Sequence, residues 1–236
     1  MRKIALGVVL LLGTARLAAQ PVPNDPLYPE QWHLRQVQAD QAWKITTGSR
    51  EVVVAVIDTG IDVGHEDLRG NLWQNRGEDA NGDGLLDDRD RDDRDNDGNG
   101  YVDDFHGWNF VDHGNDPRPQ ATLDHSTYFE HGTRMAGAIG AEGNNGRGVT
   151  GVCWQVSLMC LKAIPEDISG RSGYDTEPPL TRALAYALKM GAQIVNCSWG
   201  KFHFTKGYYD LMKEGAGRGV LFVAAAGNGG TNVDRN

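Results

Sequence analysis

Residues 52–57, Val-Val-Val-Ala-Val-Ile, form six apolar positions without a polar break and end at Asp58-Thr59-Gly60. A strand with one wet face alternates apolar and polar side chains; a strand that is apolar throughout must be covered on both faces. Comparable runs recur at 156–164, 193–197 and 220–226, with helical stretches at 131–141, 180–190 and 208–214. Strands alternating with helices predict an α/β chain: a three-layer, mostly parallel sheet with helices on both faces. In such sheets, sites gather where strands end and turn. Asp58 lies at one such end and the turn Ala226-Gly227-Asn228 at another.

The chain has 236 residues, 39% of them hydrophobic, enough for one sizeable core, and no second domain is expected. Residues 1–19 read as a secretory signal peptide: Arg2 and Lys3, an apolar run from Ile4 to Leu12, then small residues ending at Ala18 and Ala19. The apolar run is well short of the ~20 residues that a bilayer demands. Secretion, to the extracellular space or a periplasm, is therefore expected, with no membrane anchor after cleavage. Residues 20–38 read as an N-terminal extension, Pro-rich over 21–29, and the packed domain is expected to run from 39 to 236, opening with a short helix over 39–45. Cys153, Cys160 and Cys197 are odd in number and lie in apolar stretches. Buried free thiols are expected, because an extended segment from Cys153 to Cys160 spans ~23 Å against the ~6 Å a disulfide allows.

The formal net charge of −9 is concentrated in one place: from Glu78 to Asp104 there are 12 acids and 3 arginines. No basic patch stands out, so nucleic acid is not an expected partner. Two segments within an insertion over 75–117 share a ligand pattern, Asp79-x-Asn81-x-Asp83-Gly84 and Asp93-x-Asp95-x-Asp97-Gly98. Oxygen side chains at alternate positions can converge on one hard cation, and the glycine permits the sharp turn. Position twelve is Asp90 in the first and Asp104 in the second, where an EF-hand has Glu. Free-standing Ca2+ loops are expected; the plainer alternative is a solvated acidic loop.

Asp58 places a carboxylate at the rim of an apolar core, where a charge needs a partner. Alone, a strand-end Asp is more often a turn former or a helix cap. His131 opens His-Gly-Thr-Arg-Met-Ala-Gly-Ala-Ile-Gly, whose small residues let a helix start and pack closely on a sheet. Asn228 lies in Gly-Asn-Gly-Gly after an apolar run, which leaves its amide free to donate; the plainer alternative is an ordinary turn asparagine. Together these three stretches resemble the aspartate, histidine and oxyanion motifs of the subtilase family of serine peptidases. Asn24-Asp25-Pro26, Gln31-Trp32-His33-Leu34 and Ile-Val-Asn-Cys-Ser198-Trp199-Gly200 are similar to that family too, and the likeness runs from Asn24 to Asn236.

The resemblance implies a subtilisin-like fold, incomplete at its C-terminus, and a set of roles. His131 would take the proton of a serine hydroxyl, Asp58 would hold the imidazole, and Asn228 would stabilise the oxyanion. Ser198, Trp199 and Gly200 would pair with an extended polypeptide substrate. Asp67 and Asn145 would form another calcium site. The serine is expected ~160 residues after His131, near position ~290, and no serine of this sequence, Ser126, Ser172 and Ser198 included, stands in the family's Gly-Thr-Ser-Met context. The expectation is a serine endopeptidase represented by a fragment, inactive by itself; the alternative is a non-catalytic, calcium-dependent binding protein on the same scaffold. Glu130, Arg134 and Lys201 depart from the family's usual residues. Asp58 and His131 are 73 residues apart, against ~32 in subtilisin, and the acidic insertion accounts for most of the difference.

Overall fold

The computed structural model describes residues 22–120, 130–165, 177–200 and 205–230; the signal stretch, Ser126, Ser172 and Lys201 lie outside them. The strands β1 (Gly48–Asp58), β2 (Gly107–Asn109), β3 (Gln155–Lys162), β4 (Ile194–Cys197) and β5 (Leu221–Ala224) pair in the order β2-β3-β1-β4-β5, all parallel. The helices are α1 (Trp32–Gln36), α2 (Ala39–Ala42), α3 (His131–Gly140), α4 (Glu177–Lys189) and α5 (Lys206–Gly217). Among the described residues no helix is long and apolar enough to cross a membrane.

The unbroken apolar run of β1 is divided between two cores. Val54 and Val56, with Leu158 and Cys160 of β3, pack with Ala136 of α3 and with Leu68 and Leu72. Ala55 and Ile57, with Met159 and Leu161, pack under Leu180, Ala183, Leu184 and Ala187 of α4 and Tyr208 of α5. Successive side chains point to opposite faces, and each face has its own cover. Burying each Val, Ile or Leu contributes about 1.5–3 kcal/mol, so the central strand anchors both layers.

Three differences from the sequence expectation bear on function. First, the packed body begins before residue 39. Leu34 is buried with Ala39 and Trp43, whose ring lies against Tyr28 and Trp154, and the Asp25 carboxylate accepts the backbone N–H groups of Asn144 (2.7 Å) and Asn145 (3.3 Å). The part of the 20–38 segment from Asn24 onward is docked, not a loose extension, and α2 stops at Ala42 rather than 45. Second, the acidic insertion returns as a strand. β2 adds to the outer side of β3, and three residues are too few to show a period. Third, the apolar run at 220–226 predicts a covered strand, yet Leu221 and Val223 of β5 are exposed. Phe222 reaches the core below α5, and no described element covers the opposite face.

All three cysteines are free; Cys160 and Cys197 are buried and Cys153 is half-buried. Burial pushes each thiol pKa up, which keeps these sulfurs unreactive.

Candidate active site

β1 delivers Asp58 to the carboxyl edge of the sheet, 0% exposed, with its Oδ1 accepting the Thr59 N–H at 2.7 Å. Gly60 turns the chain at φ +113°, and any Cβ there would sit 2.7 Å from the Pro117 carbonyl oxygen. The far end of the insertion thus closes against this turn, and the Ile61 N–H donates to the Pro117 carbonyl at 2.9 Å. α3 starts directly over it: the Gly132 N–H donates to Thr59 Oγ1 (3.1 Å) and the Asp62 N–H to Thr133 Oγ1 (3.0 Å).

These ties bring His131 Nδ1 to 2.7 Å from Asp58 Oδ1, with the imidazole 33% exposed. The carboxylate can only accept, so Nδ1 carries the shared proton and Nε2 is the basic nitrogen of the neutral ring. Asp58 Oδ2 is buried with no donor among the described residues, and Oδ1 alone takes both hydrogen bonds.

Register places the remaining residues on the same edge. Val56 is level with Asn196 and Asn196 with Val223, so two residues further on Asp58, Ser198 and Ala225 are level. Trp199 Nε1 donates to the carbonyl of Ile57 at 3.0 Å and its ring meets Tyr208 edge-on at 5.7 Å, which pins Ser198-Trp199-Gly200 beside the end of β1. Asn228 lies exposed just past β5, two strands or ~10 Å across the sheet from β1. Asp58 and His131 are in contact; Ser198, Trp199, Gly200 and Asn228 share the edge without joining that pair.

Glu130 and Arg134 form an ion pair across one turn of α3, on a cleft of ≈ 440 Å³ that Asp62, His65 and Arg118 also line. Lys162 is one of the buried charges that the sequence pattern does not single out. Lys162, the last residue of β3, is level with Asp58, 0% exposed, and lies 3.3 Å from Asp112 Oδ2. Its only sequence signal is a cation closing an apolar run.

Asp67 and Asn145 are in contact: Asn145 Nδ2 donates to Asp67 Oδ1 at 2.8 Å, and the Val149 N–H donates to Oδ2 at 2.9 Å. Asp25 joins them through its bonds to Asn144 and Asn145, a partner that the Asn24-Asp25-Pro26 motif could have suggested. Asp25 and Asp67 are each 2% exposed, and the polar side-chain atoms gathered here are mostly oxygens, a donor set that suits a hard cation.

The two acidic loops differ. In the first, Asp79 accepts the N–H groups of Gly82 and Gly84, Asn81 that of Asp83, and Asp83 that of Leu85. Among the described residues only Glu78, Asp95 and Asp97 bring three acidic ligand atoms within 4.8 Å of one another. Asp93 stands outside that group at φ 58°. Asp104 lies beneath it, buried, accepting from Asn75 Nδ2 (2.6 Å), Asn99 Nδ2 (2.9 Å) and the Tyr186 hydroxyl (2.5 Å). Burial, with Asp104 and Asp97 nearby, pushes the Glu78 carboxyl up to about 7.

Sheet and pair together define an α/β protein that carries an aspartate–histidine pair at the carboxyl edge of parallel strands. Residues 49–236 match the sequence model of the Subtilase family. The chain is 33% identical over 207 residues to subtilisin-like protease 1 of Plasmodium berghei (strain Anka), covering 87% of this chain and 31% of that protein. It is 30% identical over 207 residues to the halolysin-like extracellular serine protease Nep of Natrialba magadii, covering 88% of this chain and 31% of that one. The crystal structure of fervidolysin from Fervidobacterium pennivorans, a keratinolytic enzyme related to subtilisin, superposes with a TM-score of 0.58 at 22% identity, over 87% of this chain and 25% of that one. The chain belongs to the subtilase family of serine peptidases, and the described residues form part of a subtilisin-like domain. It spans about a third, 31%, of the length of the two sequence relatives.

Proposed function

We propose that the protein is a secreted serine endopeptidase, and the observation that carries this is the 2.7 Å Asp58–His131 hydrogen bond at the sheet edge. The buried carboxylate holds the ring in the tautomer with Nδ1–H, which leaves Nε2 to accept the proton of an attacking serine hydroxyl and later return it to the leaving amine. The imidazolium formed in between is stabilised by the adjacent carboxylate. The Asn228 amide donates to the oxyanion, and the Ser198–Gly200 stretch pairs with the extended substrate. The nucleophilic serine would be supplied by residues outside these 236, which contain no Gly-Thr-Ser-Met stretch. Secretion is supported by the composition of residues 1–19 and by the extracellular relative from Natrialba magadii. Structural calcium would be held by Asp25, Asp67 and Asn145 and by the acidic insertion, neutralising carboxylates that otherwise repel.

The test is fluorophosphonate labelling and peptide hydrolysis by the protein expressed from its complete reading frame, beside His131→Ala. Labelling and cleavage by the parent, with turnover falling ~10⁶-fold in the variant, is the expected result. A parent that neither labels nor cleaves overturns the reading in favour of a calcium-dependent binding protein on a peptidase scaffold.

A further inference from the structure

We infer that the second acidic loop closes on a single hard divalent cation through a ligand that its own repeat pattern does not contain, Glu78. Glu78 ends the 3-10 turn Arg76–Glu78, ahead of the first loop, yet its side chain points into the second. It is 0% exposed; Oε2 accepts the Asp103 N–H at 3.2 Å, and Oε1 is buried with no hydrogen-bond donor. Oxygens of Glu78, Asp95 and Asp97 all lie within 4.8 Å of one another. Ligands at 2.3–2.6 Å from one calcium are separated by at most ~5 Å, so these three fit a single coordination shell.

Asp104 acts as a strut for this site. Its oxygens are taken by Asn75, Asn99 and Tyr186, and the same two asparagines also donate to Asp97. The site is thereby fastened to α4; the acids of both loops accept backbone N–H groups, and what sets the second apart is the buried Glu78 Oε1 beside Asp95 and Asp97. An ion bound here joins the segment before the first loop to the second loop and to the helix layer. This deepens the calcium part of the proposed function and is independent of its peptidase part.

The experiment is titration of the chelator-stripped full chain with calcium chloride, read by calorimetry and by Tm, with Glu78→Gln, Asp95→Asn and Asp79→Asn. The parent is expected to show the step of the Asp25–Asp67–Asn145 site, which Asp67→Asn removes, and a further binding step with a rise in Tm, and it is the further step that the variants read. Glu78→Gln is expected to weaken that step by at least ~10–100-fold, the loss that even outer partners of a metal site cause. In calcium-free buffer its Tm should not fall below the parent's, because a buried charge has been removed. Asp79→Asn should keep the step. If Glu78→Gln does not fold, Asp95→Asn carries the same expectation. Parent-like affinity in the Glu78 and Asp95 variants, or loss of the step in Asp79→Asn, overturns the inference while calcium binding stands. No binding by the parent at millimolar calcium overturns both.

Discussion

Gly132 sits where a side chain cannot: a Cβ would come 2.3 Å from the Gly60 carbonyl oxygen and 3.0 Å from the Asp58 Cβ. The first of these is backbone, so the clash can be relieved only by moving α3 away from the turn that carries Asp58. Gly132→Ala is expected to cost about 1–3 kcal/mol of stability and to lengthen the Asp58–His131 contact. Denaturant unfolding reports the first, and loss of the low-field Nδ1 proton resonance of His131 reports the second. A variant with parent stability and an unchanged resonance would show that the helix start tolerates a methyl. Asp58 and His131 were legible as a pair because a charge leaving an apolar strand needs a partner and because their motifs resemble a family's. Glu78 was not legible. It precedes the first loop pattern and serves the second, and only the path of the chain between residues 78 and 95 brings it there.

At the scale of elements, β1, β3, β4, α3, α4 and α5 follow the apolar pattern, with ends displaced by a few residues; α5, for example, runs Lys206–Gly217 where 208–214 was expected. β2 escaped because Gly-Trp-Asn has no period and owes its strand conformation to pairing with β3. Just before it, His106 Nδ1 donates to the Trp73 carbonyl at 2.9 Å, tying the insertion's return to its departure. Burial, assisted by Arg91, pushes this imidazole below its ordinary 6.5. The folded state keeps the ring neutral while the unfolded chain takes up a proton near 6.5, so unfolding binds protons at lower pH. The contribution is complete above that value and is lost as pH falls. Glu78, raised to about 7, gains stability as pH falls over the same range, so the His106 contribution is read as a difference: from about pH 7.5 to 5.5 the urea midpoint of the parent should fall relative to that of His106→Gln. An identical pH dependence in parent and variant would remove His106 from the account.

At the scale of the whole molecule, the N-terminal segment and the acidic insertion are both held by contacts that cross long stretches of sequence. Asp25 accepts from Asn144 and Asn145, 119 and 120 residues away, and Gln31 exchanges two hydrogen bonds with Thr150. Asp25→Ala should leave two backbone donors without their acceptor, lowering stability by about 1–3 kcal/mol and admitting protease cleavage within residues 24–34. Parent-like Tm and parent-like protection would show that Leu34 and Trp43 dock the segment unaided. The sequence by itself determined the α/β class, the central strand, the helix that opens at His131 and the acidic character of the insertion. Period, glycine placement and charge density are properties of neighbouring residues, and these sufficed for each. The tertiary structure alone decided that Glu78 rather than Asp104 faces Asp95 and Asp97, and that Lys162 lies level with Asp58. Each of those depends on closing the chain over tens of residues, and such closure is set by the packing of two cores, which no local pattern records.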